Sequence, residues 1–410
     1  MSTASPPEVL EAVDAPGSVA DAARAAFERL KAGDVGSLPV IVALFAIVVF
    51  FSIKTNIFFT AVNFDNLMPQ MAGTAVMAIG VVFVLLLGEI DLSIGSVSGV
   101  GGVVVAELQQ AGSSHNFGGA AAIILAVVAG AVIGALQGSI VALIGVPSFV
   151  VTLAGLLAFQ GVILKALGIQ GVIGIQSNLV NNVANYNLSK TAGWIVAAVV
   201  IGGYLASTVG RALGRRRAGL PIGNPTLILL RLGSLAAIAF GAVAIANHSR
   251  GVPFAGLLVV ALVVFWTYIA RRTTFGRHVY AVGGSAEAAR RAGINVARIR
   301  IIVFMISGAM AALGGVVFAS RLNSVDLTAG QGTILLDAIS AAVIGGTSLF
   351  GGRGFVRAAL LGALVIKTVE NGLDLLGQTD AVKDITTGVI LLAAVTLDTV
   401  SRRRLERSGR

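Results

Sequence analysis

LMPQMAGTAVMAIGVVFVLLLGEIDLSIGSVSGVGGVVVAELQQ, residues 67–110, sets two apolar runs around a polar knot. The first run is long enough to cross a hydrocarbon layer about 30 Å thick, which takes roughly 20 residues at 1.5 Å each. The knot, GEIDLSIGS at 88–96, places Glu89 and Asp91 between flanking glycines. Gly88 and Gly95 permit a helix to break there, and Ser93 and Ser96 are suited to capping the half that follows. Discontinuous helices of this kind build transport sites. The competing reading is a tight turn whose carboxylates face water, with Asp91 near the membrane surface.

The rest of the chain repeats the pattern. Of 410 residues, 56% are hydrophobic and only 12% are charged, about half the usual charged share, and the mean hydropathy is +0.92. The 52 glycines have no triplet period, which excludes collagen. Twelve segments are candidates to cross or enter a membrane: 38–58, 67–88, 95–110, 118–144, 149–168, 191–210, 226–247, 254–270, 301–321, 332–350, 356–377 and 385–400. The expectation is an all-α polytopic membrane protein of about 10–12 transmembrane helices, two of them broken. Steps such as Gly95 to Gly99 and Gly130 to Gly134 to Gly138 suit close helix packing, although so many glycines produce such steps readily.

Charge gives the orientation. With the N-terminus inside and spans alternating, 21 of the 29 Lys and Arg fall in inside segments, seven fall outside (Lys54, Lys165, Lys190, Arg250, Arg321, Lys367 and Lys383), and Arg231 lies within a span. Positive charge collects in cytosolic loops, so both termini are expected in the cytosol. This bias explains the net charge of +10 without nucleic acid as a partner. Residues 1–37 read as a cytosolic extension, 38–400 as the membrane domain and 401–410 as a basic cytosolic tail.

Zero Cys and three scattered His exclude thiolate metal sites and disulfides and leave no metal centre. Gly-Lys does not occur, so there is no phosphate-cradling Walker loop, and no nucleophile elbow or zinc-protease motif is present. The chain reads as a non-catalytic protein with no cofactor of its own.

Besides the first knot, ILLDAISAAVIGGTSLFGGRG at 334–354 puts Asp337 in an apolar segment broken by Gly345 and Gly346, with Thr347 and Ser348 as prospective caps. Asp337 would bond backbone groups at the break or reach out from a helix end. Asn66, Gln70, Gln160, Glu370 and Asn371, with the rings of Phe149 and Phe159, offer groups suited to a neutral polyol; each also suits an interhelical hydrogen bond. The longest cytosolic loop, 271–300, contains a short run of helix formers from Ser285 to Ala292, with Ser285 as N-cap, Glu287 in the first turn and Gly293 as the stop. It suits a helix that docks on a partner.

GEIDLSIGS (88–96), VPSFVVTLAGLLAFQG (146–161), FGRHVYAVGGSAEAARRAGINV (275–296), TAGQGTILLDAISAAVIGGTSLFGGRG (328–354) and ENGLDLLG (370–377) lie in order along most of the chain. Together they resemble the permease subunit of bacterial monosaccharide ABC importers of the ribose/xylose type. The resemblance implies a type II importer bundle, a permease homodimer in the inner membrane, a cytosolic ATPase that binds ATP and Mg, and an extracytoplasmic sugar-binding protein. Ser285, Glu287, Ala288, Ala289, Gly293 and Ile294 would then form the ATPase-coupling element. The stretch 188–250, with two extra spans, departs from the ribose pattern and is most like the longer xylose permeases. Asn66, Gln70, Glu89, Asp91, Ser93, Phe149, Gln160, Asp337, Thr347 and Asn371 are the candidates for the translocation path or for holding broken-helix geometry. The alternative is a stand-alone proton-coupled sugar carrier using Glu89, Asp91 and Asp337.

Overall fold

The computed structural model describes residues 38–110, 117–219 and 224–407. The expected extension 1–37 and the last residues of the tail lie outside the described residues. Each of the twelve segments coincides with a helix. Seven helices are long and apolar enough to cross a membrane: α2 (Ala61–Leu86), α4 (Gly119–Ser139, prolonged by a π-turn Ile140–Ile144), α5 (Ser148–Leu167), α7 (Lys190–Arg217), α8 (Pro225–His248), α9 (Phe254–Arg272) and α12 (Val296–Leu322). The apolar helices α1 (Leu38–Lys54), α3 (Ile94–Glu107) and α13 (Ile334–Ile344) are shorter, whereas α14 (Arg357–Leu375) and α15 (Asp380–Arg407) carry more charge.

Helices α2 and α12 form the centre. The most apolar window of α2 is 89% buried and that of α12 is 67% buried, against 11% for α7 and 6% for α8. Neighbours surround α2, which contacts α12, α13, α14 and α9. Close approach depends on small residues. Gly130, Gly134 and Gly138 lie along the face of α4 that meets α12, where an added Cβ at Gly130 would strike the Gly308 carbonyl and one at Gly134 the Phe304 carbonyl.

At the end of the bundle opposite the arginine-rich loop, β1 (Val172–Gly174) pairs antiparallel with β2 (Ser324–Asp326), with Ile173 opposite Val325. This ties the end of α5 to the end of α12. Helix α6 (Asn178–Asn185) follows β1, and its buried Val180, Val183 and Ala184 face the bundle. The α7–α8 hairpin leaves and rejoins the bundle at adjacent points: Leu188 N–H donates to the Val252 carbonyl at 2.9 Å, and Asn187 bridges to Pro253.

Candidate functional site

The knot after α2 is a buried, hydrogen-bonded break. Gly88 has φ +75°, which glycine adopts without a Cβ clash, and α3 resumes at Ile94. Two amides left without helical partners are met by α5: the Ile90 N–H donates to Ser148 Oγ at 3.2 Å and the Leu92 N–H to Thr152 Oγ1 at 3.0 Å.

Asp91 is 6% exposed. One carboxylate oxygen accepts from the Ser93 N–H at 3.0 Å and the Ser93 hydroxyl at 2.7 Å, and the other accepts from the Ser307 hydroxyl at 2.7 Å. Gln137 Nε2 donates to Ser93 Oγ at 3.0 Å. Elements α3, α4 and α12 therefore meet at this carboxylate.

Two expectations change here. Asp91 is not at the surface: Ser307 lies about 10 Å along α12 from Arg300, and it is Glu89 that pairs with Arg300, at 3.1 Å. Ser93 stands at the N-cap position of α3, but its side chain makes no cap bond: its hydroxyl donates to Asp91 and its oxygen accepts from Gln137 Nε2.

The second break differs. Helix α13 ends at Ile344, and an irregular segment through Gly354 leads to α14. Its turn reaches the first knot, with the Gly352 N–H donating to the Leu86 carbonyl at 2.9 Å. Neither Thr347 nor Ser348 caps α14, which starts beyond them at Arg357; the Thr347 N–H donates back to the Ala342 carbonyl at 3.0 Å. Nor does Asp337 bond backbone groups at the break or reach out from a helix end. It is 1% exposed and pairs with Lys367 Nζ at 2.7 Å, and the same ammonium pairs with Glu370 at 2.7 Å. Lys367 was expected outside the membrane. It stands ten residues into α14, about 15 Å from its start, and sequence reasoning missed its pairing with Asp337.

The polyol candidates divide. Asn66 and Gln70 line a cavity of about 250 Å³ at the α2 start, together with Asp65, Pro69, Ala184, Asn185, Asn187, Arg250 and Arg321. Asn371 lies just behind it, its Nδ2 facing Gln70 Oε1 at 3.4 Å and its Oδ1 accepting from Asn63 Nδ2 at 2.8 Å. Phe149 and Gln160 are elsewhere, on α5: Phe149 is half exposed in the first turn, and Gln160 lies twelve residues into the helix.

The arginine-rich loop folds as α10 (Thr274–Gly284) and the six-residue α11 (Ala286–Arg291). Ser285 Oγ accepts from the Ala288 N–H at 3.2 Å, Glu287 pairs with Arg290 and Arg291 at 3.1 Å each, and Gly293 ends the turn at φ +83°. Ser285, Glu287, Ala288 and Gly293 are exposed and Ile294 is half-buried, whereas Ala289 packs into the core. Tyr280 anchors α10, donating to the Gly354 carbonyl at 2.9 Å; burial pushes its phenol up despite the nearby Arg271, which keeps it a neutral donor.

The model of the family described as branched-chain amino acid transport system, permease component, matches residues 63–395. The xylose transport system permease protein of Escherichia coli strain K12 is 37% identical over 408 residues, covering 98% of this chain and all of that protein. That of Haemophilus influenzae is 35% identical over 380 residues, covering 92% of this chain and all of that protein. The ribose import permease protein of E. coli strain K12 is 33% identical over 358 residues, covering 87% of this chain and 92% of that protein. No solved structure matches. A family match spanning both breaks and the loop between them, on an all-α membrane bundle, establishes that the chain belongs to the family of ABC-importer permease subunits, the non-catalytic membrane components of transport systems.

Proposed function

We propose that this chain is the permease of a bacterial monosaccharide importer with xylose as its cargo. The full-length match to xylose permeases carries this reading. In it, the chain sits in the plasma membrane as a homodimer with both termini cytosolic. A partner ATPase supplies ATP and Mg, and an extracytoplasmic binding protein delivers the sugar. Residues 38–400 form the permease domain, 188–250 an added hairpin and 271–300 the coupling loop.

The geometry supports alternating access. Ser285, Glu287, Ala288, Gly293 and Ile294 are available to the ATPase, while the buried Ala289 holds α11 to the bundle. The irregular turn before α14 meets both the α2 end, through Gly352 and Leu86, and α10, through Gly354 and Tyr280. A push on the loop therefore reaches both helix breaks. Asp91, with both oxygens hydrogen-bonded by protein, holds the first break rather than contacting sugar, and Asp337, through Lys367, ties α13 to α14.

The test is to purify the tagged permease from its native membrane in mild detergent and identify what accompanies it stoichiometrically. An ATPase chain is expected, and it should be lost when Glu287→Arg and Ala288→Arg are combined. A solitary permease that moves xylose along an imposed proton gradient would overturn the reading.

A further inference from the structure

The exposed side of α9 ends on charge. Val260, Val264 and Tyr268 recur every fourth residue along one side of the helix and are exposed, whereas Val259, Val263 and Ala270 face the bundle. The exposed side continues, three and four residues beyond Tyr268, into Arg271 and Arg272, both exposed. With 19 residues, α9 is about 28 Å long at 1.5 Å each, close to the ~30 Å thickness of the hydrocarbon layer. Its two arginines therefore stand where acyl chains give way to headgroups, at the end of the bundle that carries the arginine-rich loop.

Two guanidinium groups share one ring there. Cζ of Arg271 lies 4.9 Å from the centroid of the half-buried Phe355 ring, and Cζ of Arg357, the first residue of α14, lies 4.8 Å from it. Contact with a ring uses the flat face of a guanidinium and leaves its N–H edge free. Among the described residues neither side chain donates a hydrogen bond or pairs with a carboxylate. Glu287 and Glu89, which lie at this end of the bundle, are already taken, the first by Arg290 and Arg291 and the second by Arg300. Two further exposed arginines adjoin the pair: Arg353 beside Gly354, and Arg277 one turn before Tyr280, whose hydroxyl is bonded to the Gly354 carbonyl.

Like charges held this close, with their N–H edges unused, call for an anion, and a phosphodiester offers acceptor oxygens that guanidinium forks can bond in pairs. Soluble phosphate or an acidic protein segment would meet the same charge. Neither has a use for the apolar stripe that runs into it, whereas a phospholipid fills both parts. Basic clusters between membrane helices recognise anionic headgroups in this way. We propose that α9 and α14 form a binding site for an anionic phospholipid, with Arg271 and Arg357, braced by Phe355, on its phosphate and an acyl chain along Val264 and Tyr268. One headgroup thereby bridges α9 to the start of α14. The site needs a membrane and not an ATPase or a sugar, so it stands apart from the importer reading.

The test titrates the full-length permease in detergent micelles with phosphatidylglycerol, and with phosphatidylcholine of the same acyl chains, and counts bound lipid by native mass spectrometry. Phosphatidylglycerol is expected to bind the more tightly. An arginine near an anionic surface is worth roughly fivefold in affinity, so Arg271→Gln combined with Arg357→Gln should weaken phosphatidylglycerol at least about tenfold and leave phosphatidylcholine unchanged. Arg216→Gln combined with Arg217→Gln removes as much charge from exposed positions on α7 and should have little effect. Phe355→Leu keeps both charges but takes away their brace, and it should weaken phosphatidylglycerol severalfold; it carries the test should the glutamine pair fail to fold.

Equal binding of the two lipids overturns the site. So does an equal loss from the α7 pair, which would make the attraction a property of the whole basic surface. Phosphatidylglycerol binding untouched by Phe355→Leu refutes the bracing of the two guanidiniums, and displacement of the lipid by a matched concentration of inorganic phosphate would assign the arginines to a soluble anion instead.

Discussion

Removing the ammonium of Lys367 would strand the Asp337 carboxylate inside the bundle. Breaking a buried pair by deleting one partner costs about 3–5 kcal/mol, whereas replacing both partners with apolar groups is often neutral. Lys367→Met should therefore lower the melting temperature of the purified permease strongly, and Lys367→Met with Asp337→Leu and Glu370→Leu, which replaces all three charges of the cluster, should recover most of the loss. Equal melting of the single and triple variants would refute the pairing. At the first break, Ser307→Ala removes one charged hydrogen bond from Asp91 and should cost about 1.5–3 kcal/mol, measured by the same melting. What the sequence could and could not reveal divides at this scale. Asp91 and Asp337 stood out as charges in apolar surroundings, which needs no knowledge of neighbours. Their partners did not, because Ser307 lies 216 positions from Asp91 and Lys367 lies 30 from Asp337. Counting Lys367 with the outer loops followed from reading its sign without its partner.

Among the helices, hydropathy located every membrane element because each must bury or expose an apolar surface along its whole length. It could not rank them from inside to outside, since a lipid-facing helix and a core helix are equally apolar. The glycines carry that information. Gly130 on α4 faces the Gly308 carbonyl, whereas Gly203 on α7 has open space around its Cα hydrogens. Gly130→Val should push α4 from α12 and cost about 1–3 kcal/mol by overpacking. Gly203→Ala should be stabilising by up to about 1 kcal/mol from helix propensity alone. Thermal unfolding of the two variants checks both signs, and a neutral Gly130→Val would mean that α4 does not pack as described. The α11 helix was legible for another reason: its cap, acidic first turn and glycine stop are all local in sequence. The breaks were legible as glycine clusters but the closure of the first was not, because its free amides are met from α5, through Ser148 and Thr152, rather than from the serines nearby.

Across the whole molecule, the α7–α8 hairpin is the most separable part. Helix α7 has 28 residues, about 42 Å at 1.5 Å each, against a hydrocarbon core of about 30 Å. Its excess carries Arg211, Arg215, Arg216 and Arg217 past the apolar layer, and no acidic residue occurs between Leu188 and Arg250. The hairpin thus adds positive charge to the end that already holds the loop arginines, so it supports the same orientation without setting it alone. Within the bundle its helices touch chiefly each other and the outer part of α2, and its two ends are held together by the Leu188–Val252 hydrogen bond. Excising 189–251 and joining Leu188 to Val252 through a short Gly-Ser linker should therefore leave a chain that inserts, keeps the orientation of the uncut chain and, on the proposed importer reading, still recovers an ATPase. Its melting temperature should fall by less than ~10 °C, at about 2–4 °C per kcal/mol lost. Reporter fusions at the C-terminus and co-purification measure the first three outcomes, and a chain that fails to insert would show that the hairpin is part of the folding core.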